Sequence, residues 1–346
     1  MPKSPLNDKP IDAVITWVDG EDPKHQEKLG AYLRSIGGER PVTAHPTRFH
    51  NAGEIEYCIV SLLRFAPWIR TIFIVTDGQT PHFISSLHGT AYEHRVKIVD
   101  HKTIFKGFEA HLPTFNIRSI MTVLWRIPEL ADQFIFLNDD FVIIQPVLPK
   151  DFFCGNKIVV RGKWKLLSKY RPTKRLRAWW RMLFPLKQSQ LRKLRAKHLL
   201  AQEFSATLAG MNTFYLQLQH NPHPWKKSTM DAYFQAHPER MLTNIQEKLR
   251  SSTQFISEAL ATYLEVKQGN AKIDNTLRTL QIKPKGKGAV TLKLKLWLAE
   301  HQNRYAFACI QSIERGSKEE QEHLFKWLNR RVGKLDSLLA QELGTK

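Results

Sequence analysis

The sequence predicts an α/β fold in which helices cover a mostly parallel sheet with a Rossmann-like core. Four short apolar runs rich in β-branched residues each end close to a polar turn, at residues 13–18 (AVITWV), 71–76 (TIFIVT), 96–99 (VKIV) and 133–137 (QFIFL). Amphipathic helical patterns separate these runs. Such alternation is typical of parallel sheets, whose strands are joined by helical crossovers.

Helical spacing and capping residues predict the positions of several helices. Apolar side chains recur at helical spacing in residues 54–66, and Asn116 stands where the N-cap of a second helix is expected. Two later helices are predicted at 255–266 and 319–332. The Lys/Gly/Pro-rich residues 282–290 predict a flexible loop between them.

The composition divides the chain into an α/β core at 11–154, a basic amphipathic insert at 155–202 and a mainly helical part at 203–346. Residues 152–202 hold fifteen Lys or Arg and no Asp or Glu, interleaved with Trp164, Trp179, Trp180 and Phe184. We interpret this insert in four ways: a membrane-surface element, an acceptor-binding surface, a nucleic-acid patch or a solvated face.

Composition and charge restrict the class of protein. The hydrophobic content of 42% is that of a folded globular chain, and the net charge of +20 predicts an anionic partner. Three widely spaced cysteines indicate neither a disulfide framework nor a zinc site, which favours a reducing cytosol. No signal peptide or apolar run of about 18 residues is recognisable, so we expect no membrane span.

Acidic residues follow three of the predicted strands. The turns carry Asp19 and Asp22 after the first strand, Asp77 after the second, and Asn138, Asp139 and Asp140 after the fourth. Ligands of open parallel sheets bind beyond the carboxyl ends of the strands, so these turns are predicted to line one crevice. Asp77 is equally well explained as a turn residue. The adjacent carboxylates of Asp139 and Asp140 repel each other, so a turn alone does not explain why both are present.

A divalent cation supplies that reason. Mg²⁺ and Mn²⁺ prefer oxygen ligands, and Mg²⁺ is usually held by one or two carboxylates together with substrate phosphates. The Asn-Asp-Asp turn therefore resembles the acidic metal motif of nucleotide-sugar transferases.

Ordered motifs along the chain resemble the Stealth family of hexose-1-phosphate transferases, which includes bacterial capsule polymerases and the animal enzyme that tags lysosomal glycans. They are IDAVITWVDGEDP (11–23), RFHNAGEIEY (48–57), APWIRTIFIVTDGQTP (66–81), LPTFN (112–116), RIPELADQFIFLNDDF (126–141), HNPHPW (220–225), KLRSSTQF (248–255) and CIQSIERGSKEEQEHLFKWLN (309–329). The resemblance implies a core similar to the GT-A glycosyltransferase architecture, with the nucleotide-sugar site in residues 11–154.

The resemblance also implies an activity: transfer of a sugar-1-phosphate from a UDP-sugar to a glycan hydroxyl, with release of UMP and formation of a phosphodiester. It implies Mg²⁺ or Mn²⁺ as cofactor, a glycan or lipid-linked polysaccharide as acceptor, and a cytoplasmic enzyme of capsule biosynthesis peripheral to the inner membrane. An ordinary glycosyltransferase releasing UDP is the nearest alternative, and a non-catalytic binder of nucleic acid or an anionic glycan is the alternative of another class.

Motif positions assign candidate roles within that reaction. Asp139 and Asp140 correspond to metal and pyrophosphate ligands, and His220 to the residue closest to proton transfer. Arg250, with Gln254, is expected to bind phosphate oxygens. The other candidates for the donor site are Asp19, Arg48, Asn51, Glu54 and Asp77.

Alternative interpretations apply to several of these residues. His220 is also compatible with a surface loop, Arg250 with a solvated helix and Glu54 with a first-turn carboxylate beside a helix dipole. The chain departs from the family pattern at Met121, where an acid is usual, so the resemblance does not identify the base.

Overall fold

The computed structural model of the protein describes residues 9–171, 198–284 and 290–343. Its strands, in chain order, are β1 (Ile11–Thr16), β2 (Ile72–Thr76), β3 (Val96–Asp100), β4 (Gln133–Asn138), β5 (Phe141–Ile143), β6 (Phe153–Cys154), β7 (Lys157–Val160), β8 (Gly162–Leu166), β9 (Phe214–Leu218), β10 (His223–Lys226), β11 (Ala271–Ile273), β12 (Arg278–Ile282) and β13 (Tyr305–Ile310).

Helices surround these strands. The α-helices of the described ranges are α1 (Pro23–Ser35), α2 (Glu54–Phe65), α3 (His101–Ile104), α4 (Ile117–Thr122), α5 (His198–Leu208), α6 (Lys227–Ala236), α7 (Pro238–Ile245), α8 (Ser257–Lys267), α9 (Val290–His301), α10 (Lys318–Arg331) and α11 (Leu335–Leu343). Short 3-10 helices are Val42–Ala44, Pro46–Arg48, His82–Leu87, Glu109–His111, Leu124–Arg126, Pro149–Asp151, Ser168–Tyr170 and Ile313–Arg315.

The central sheet has the strand order β3-β2-β1-β4-β10. The first four strands are parallel, and β10 pairs antiparallel with β4, with His223 opposite Phe136. Every residue of β1 and β2 is buried, as expected for parallel strands covered on both faces. The α/β fold class predicted from the sequence is confirmed.

Three smaller sheets connect distant parts of the chain. Strand β13 lies between β12 and β5, β7 lies between β11 and β6, and β8 pairs with β9. The part after residue 203, predicted as mainly helical, therefore also supplies strands β9 to β13. Short strands with mixed burial, such as β11, lack the clear alternation that predicts a strand.

Local capping explains where the helices beside the sheet begin. The Asn116 side chain accepts a hydrogen bond from the backbone N–H of Arg118, which confirms it as the N-cap of α4. Helix α2 follows Gly53, whose φ of 88° lies in the left-handed region that favours glycine. The predicted helices at 255–266 and 319–332 correspond to α8 and α10.

Two sequence predictions fall largely outside these ranges. The basic insert at 155–202 is described only to residue 171 and from residue 198, and the predicted loop at 282–290 lacks residues 285–289. Within the described ranges, no helix combines the length and apolar character required to span a bilayer.

Candidate active site

A cleft of about 250 Å³ opens at the carboxyl ends of β1, β2 and β4. Six of the residues predicted for the site line it: Arg48, Glu54, Asp77, Asp139, Asp140 and Arg250. The turns after β2 and β4 therefore meet as predicted, while the turn after β1 contributes Trp17 and Val18 rather than its acids. Parallel strand direction brings these sequence-distant turns together.

Asp139 and Asp140 form an acidic pair that the described protein does not neutralise. Burial raises the pKa of Asp139 well above its usual value, with further increases from the charges of Asp140 and Glu54. Burial, then Glu54, raises the pKa of Asp140 to about 7. Asp140 Oδ1 is buried without a hydrogen-bond partner in the described ranges, and Cys309 Sγ lies 3.7 Å from Oδ2. Among the described residues, neither carboxylate of the pair has a cationic partner.

The donor atoms of this pair suit a divalent cation. Carboxylate oxygens are hard ligands, and the unpartnered Asp140 Oδ1 provides a free coordination position. Among the described residues, no group of three or more His, Cys, Asp or Glu side chains is arranged to hold a metal. A cation here would need phosphate or water oxygens for the rest of its shell, as is usual for Mg²⁺.

Three guanidinium groups form an arginine group near the acidic pair: Arg48, Arg118 and Arg250. Burial, followed by the neighbouring charges of Arg48 and Arg118, lowers the pKa of Arg250 to about 9. Burial likewise lowers the pKa of Arg118 to about 10. The Arg250 side chain makes no hydrogen bond or ion pair with a described residue, and it lines the cleft. Repelling cations beside a cleft favour an anionic ligand.

Glu258 on α8 lies close to the arginine group, and sequence reasoning missed it. Burial raises the pKa of its carboxyl group to about 7, against the lowering effect of Arg250 and Arg118. Asp140 also raises this pKa, which places Glu258 within electrostatic range of the acidic pair. Helix α8 packs against α4, which carries the buried Met121. The carboxyl group of Glu258 on α8 therefore lies close to the arginine group and to the acidic pair.

His220 lies beside His198 and does not line the cleft. The two imidazole rings have centroids 5.0 Å apart, and His198 Nε2 lies 3.8 Å from Glu258 Oε1. Burial lowers the pKa of His220, and the nearby Lys283 lowers it further. Burial lowers the pKa of His198 to about 3, with smaller effects from His220, Arg118 and Arg250. Both rings are neutral near pH 7, and His198 connects His220 to Glu258.

Asp19, Asn51 and Gln254 are not among the lining residues. The Asp19 backbone N–H donates to Gln79 Oε1 at 2.9 Å, and Asn51 Oδ1 accepts from Gly53 N at 3.1 Å. Both residues shape turns beside the cleft.

Other residues of the protein occupy all the hydrogen-bonding positions of the Gln254 side chain. Its Oε1 accepts from Asn116 Nδ2 and Ser251 N, and its Nε2 donates to Asn244 O and Ser119 Oγ. No hydrogen-bonding position of the amide is left for a phosphate, so the Gln254 side chain holds neighbouring segments of the fold together.

Glu54 and Asp77 keep internal partners while lining the cleft. Glu54 Oε2 accepts a hydrogen bond from the backbone N–H of Ala52 at 2.7 Å, and burial raises the pKa of Glu54. Asp77 Oδ2 forms a 2.8 Å ion pair with Lys28 Nζ.

Arg118, Glu258 and His198 are the candidate functional residues absent from the sequence prediction. Arg118 and Glu258 are buried charges within otherwise apolar helical segments, and that pattern was the available signal. His198 lies near the end of the basic insert and carried no distinguishing signal.

Comparison with known proteins identifies two conserved segments. A family model described as Stealth protein conserved region 1 matches residues 9–37, and one described as conserved region 2 matches residues 48–160. These segments contain the turns after β1, β2 and β4, including the acidic pair.

Three curated relatives are polysaccharide phosphotransferases by name. An exopolysaccharide phosphotransferase of Streptomyces coelicolor is 34% identical over 70% of this chain and 24% of its own length. Capsular polysaccharide phosphotransferases of Actinobacillus suis and Aeromonas hydrophila are 31% and 38% identical, over 72% and 44% of this chain and 62% and 40% of their own lengths. The matched part of this chain therefore spans less than two thirds of the length of each of these relatives, from 24% to 62%.

Among solved structures, mouse xyloside xylosyltransferase 1 in its apo form aligns over 86% of this chain and 96% of its own chain. The TM-score is 0.38 and the sequence identity 11%.

Proposed function

The chain belongs to the Stealth family, and on that premise we propose that it is a capsular or exopolysaccharide phosphotransferase. The proposed reaction moves a sugar-1-phosphate from a UDP-sugar to a glycan hydroxyl. One observation carries the proposal: a single cleft is lined by an unneutralised acidic pair and by Arg48 and Arg250. The names of the relatives support transfer of a phosphate group to a polysaccharide.

The proposed bond changes are at phosphorus. The acceptor hydroxyl oxygen bonds to the phosphorus that carries the sugar, while the bond from that phosphorus to the bridging oxygen breaks. UMP leaves with the bridging oxygen, and the C1–O bond of the sugar stays intact, which preserves its anomeric configuration. The hydroxyl proton passes to a base of the protein.

Asp139 and Asp140 are the residues that would hold Mg²⁺ or Mn²⁺ and so bring the donor pyrophosphate to this edge of the sheet. The bound cation would supply neutralisation of phosphate charge. Arg250 and Arg48 would bind phosphoryl oxygens, for which planar guanidinium groups are well shaped. Such transfers require mainly positioning and charge stabilisation, and a cleft with both acidic and basic walls meets that requirement.

His220 is the proposed proton acceptor. Because burial lowers its pKa, the imidazole is neutral near pH 7 and has a free lone pair for a proton. His198 would hold the His220 ring in place from behind. Glu258 would balance the charge of Arg118 and Arg250.

We also propose that the enzyme binds the cytoplasmic face of the inner membrane through the two-stranded β8–β9 sheet. Trp164 and Phe214 lie on the same face of this sheet and are 50% and 51% exposed. Lys163 and Lys165 precede and follow Trp164 in β8 and are exposed on the other face of the strand. Exposed aromatic side chains among lysines suit a surface of anionic lipids.

The test of the reaction uses a panel of UDP-sugars, a capsule-type oligosaccharide acceptor, and Mg²⁺ or EDTA. UMP formed only with the metal supports a phosphotransferase. UDP as the product would indicate a glycosyltransferase instead. Absence of nucleotide release from every donor, combined with metal-independent and salt-sensitive binding of polyanions, would indicate a binding protein.

A further inference from the structure

One end of the cleft is closed by Asp77, His25 and His101. Asp77 follows β2, His101 is the first residue of α3 after β3, and His25 lies in the first turn of α1. This end is separate from the acidic pair, which follows β4. Strand β1 lies between β2 and β4, so the two ends are separated by about two strand spacings, roughly 10 Å. A nucleoside diphosphate is long enough to reach both ends.

Both histidines have buried polar atoms without partners. His25 Nε2 and His101 Nδ1 make no hydrogen bond with any described residue. The two side chains are only 6% and 5% exposed, so bulk water does not replace the missing partners. Buried polar atoms are nearly always hydrogen-bonded, and these two therefore indicate a ligand.

The side chains at this end suit a neutral ligand better than a phosphate. Burial lowers the pKa of His101 to about 4, against the raising effect of Asp77 and Asp100. Burial also lowers the pKa of His25, whose other neighbours include Asp22 and Lys28. Neutral imidazoles beside a carboxylate do not attract an anion, but they donate or accept single hydrogen bonds.

Asp77 supplies a hydrogen-bond acceptor that is held in a fixed orientation. Its Oδ2 is held by Lys28 Nζ at 2.8 Å, and Oδ1 has no partner among the described residues. A carboxylate oxygen accepts hydrogen bonds, so Oδ1 suits a ligand with an N–H or O–H donor.

The walls beside these polar groups are aromatic. The ring centroid of His25 lies 5.2 Å from that of Phe49 and 5.5 Å from that of Phe115, and both phenylalanines line the cleft. Flat apolar surfaces around a few directed polar atoms are suited to a planar heterocycle.

We propose that this end holds the base of the donor nucleotide and that Asp77, with His25 and His101, selects uracil over cytosine. This inference rests on the proposed function for the presence of a nucleotide. Uracil has an N3–H that donates to Asp77 Oδ1 and two carbonyl oxygens that accept from the histidines. Cytosine has a lone pair at N3, which faces the carboxylate without a hydrogen between them.

Calorimetric titration of the full chain with UDP and CDP in the presence of Mg²⁺ tests the inference without requiring turnover. We expect UDP to bind about 100-fold or more tightly than CDP, because a site built to hydrogen-bond a donor strongly rejects an analogue that lacks it. Asp77→Asn should weaken UDP and strengthen CDP, since its amide N–H can donate to cytosine N3. The matched control Asp231→Asn, on α6 outside the cleft, should leave both affinities unchanged.

A modified ligand gives a test that does not depend on folding of the variant. UDP methylated at N3 of uracil has no N3–H, and it should bind the unaltered protein about 100-fold more weakly than UDP. Equal binding of UDP, its N3-methyl derivative and CDP would overturn the inference while leaving the proposed function intact. Failure of every nucleotide diphosphate to bind would overturn both.

Discussion

The backbone N–H of Ile310 donates a 2.9 Å hydrogen bond to the backbone carbonyl oxygen of Asp140. Ile310 ends β13, which pairs antiparallel with β5 directly after the acidic pair, with Cys309 opposite Phe141. The last part of the chain therefore supports the turn that carries Asp139 and Asp140. A turn within the first 150 residues is therefore held in place by a strand more than 150 residues later.

Asp140→Asn should reduce the metal-dependent rate about 100-fold or more, because it removes one charge from the proposed cation site at nearly constant volume. Steady-state rates at several Mg²⁺ concentrations, with a thermal melt to confirm folding, measure the effect. Asp132→Asn is the matched control, since Asp132 accepts from Ser228 N near the start of α6 and not in the cleft. A wild-type rate in Asp140→Asn would rule out this carboxylate as a metal ligand.

His220→Gln should lower kcat about 100-fold or more and change KM for the donor little, because the proposed role of His220 is to accept the hydroxyl proton and not to bind the donor. Burial lowers the pKa of His220, so the unaltered enzyme should lose activity only below about pH 6.5, as the imidazole becomes protonated. That acid limb should be absent from the residual activity of the variant. A pH–rate profile that keeps the same limb after the substitution would assign it to another group.

Glu258→Gln should remove a pH dependence of stability. The folded-state pKa of Glu258 is raised to about 7, so the folded protein holds this proton more tightly than the unfolded chain does. The contribution of the protonated carboxyl is present below the unfolded pKa of about 4.5 and is lost as the pH rises through 7.

The expected difference is measurable by urea denaturation. From pH 5 to pH 8, the free energy of unfolding of the unaltered protein should fall by about 2 to 3 kcal/mol relative to that of Glu258→Gln. Taking the difference between the two proteins cancels the titration of the buried histidines. If the free energies of unfolding of the two proteins changed equally with pH, the Glu258 carboxyl would not titrate in this range.

The double variant Trp164→Ser/Phe214→Ser should bind vesicles rich in phosphatidylglycerol about tenfold or more weakly, because two exposed aromatic side chains no longer enter the lipid surface. Vesicle pelleting measures the binding, and phosphatidylcholine vesicles provide the uncharged comparison. Trp297→Ser removes an equally exposed aromatic side chain from α9 and should have no effect. Unchanged binding of the double variant would exclude the β8–β9 sheet as the membrane contact.

The sequence predicts the cleft best at the turns where acidic residues follow an apolar strand. The four parallel strands and the helices at α2, α4, α8 and α10 appear within a few residues of their predicted positions, because periodicity and caps are local signals. Asp77, Asp139 and Asp140 meet in one cleft because the carboxyl ends of parallel strands lie at one edge of a sheet.

Residues contributed by tertiary packing were not predictable in the same way. Gln254 belongs to a buried hydrogen-bond network with Asn116, Ser119 and Asn244, and only the folded arrangement shows that its polar atoms are fully used. The only sequence signal for Glu258 is a charged residue within a largely apolar helical segment. Its position beside Arg118 and Arg250 follows from packing of α8 against α4, which no local pattern encodes.

The fate of the phosphorus atom next to the sugar tests the central claim most directly. The enzyme is incubated with an acceptor, Mg²⁺ and a UDP-sugar that carries ³²P only in the phosphate attached to the sugar, and the products are separated by size. The proposed reaction places the label in the glycan and leaves unlabelled UMP, and Asp140→Asn should abolish the transfer. Label recovered in UDP, with an unlabelled elongated glycan, would contradict it.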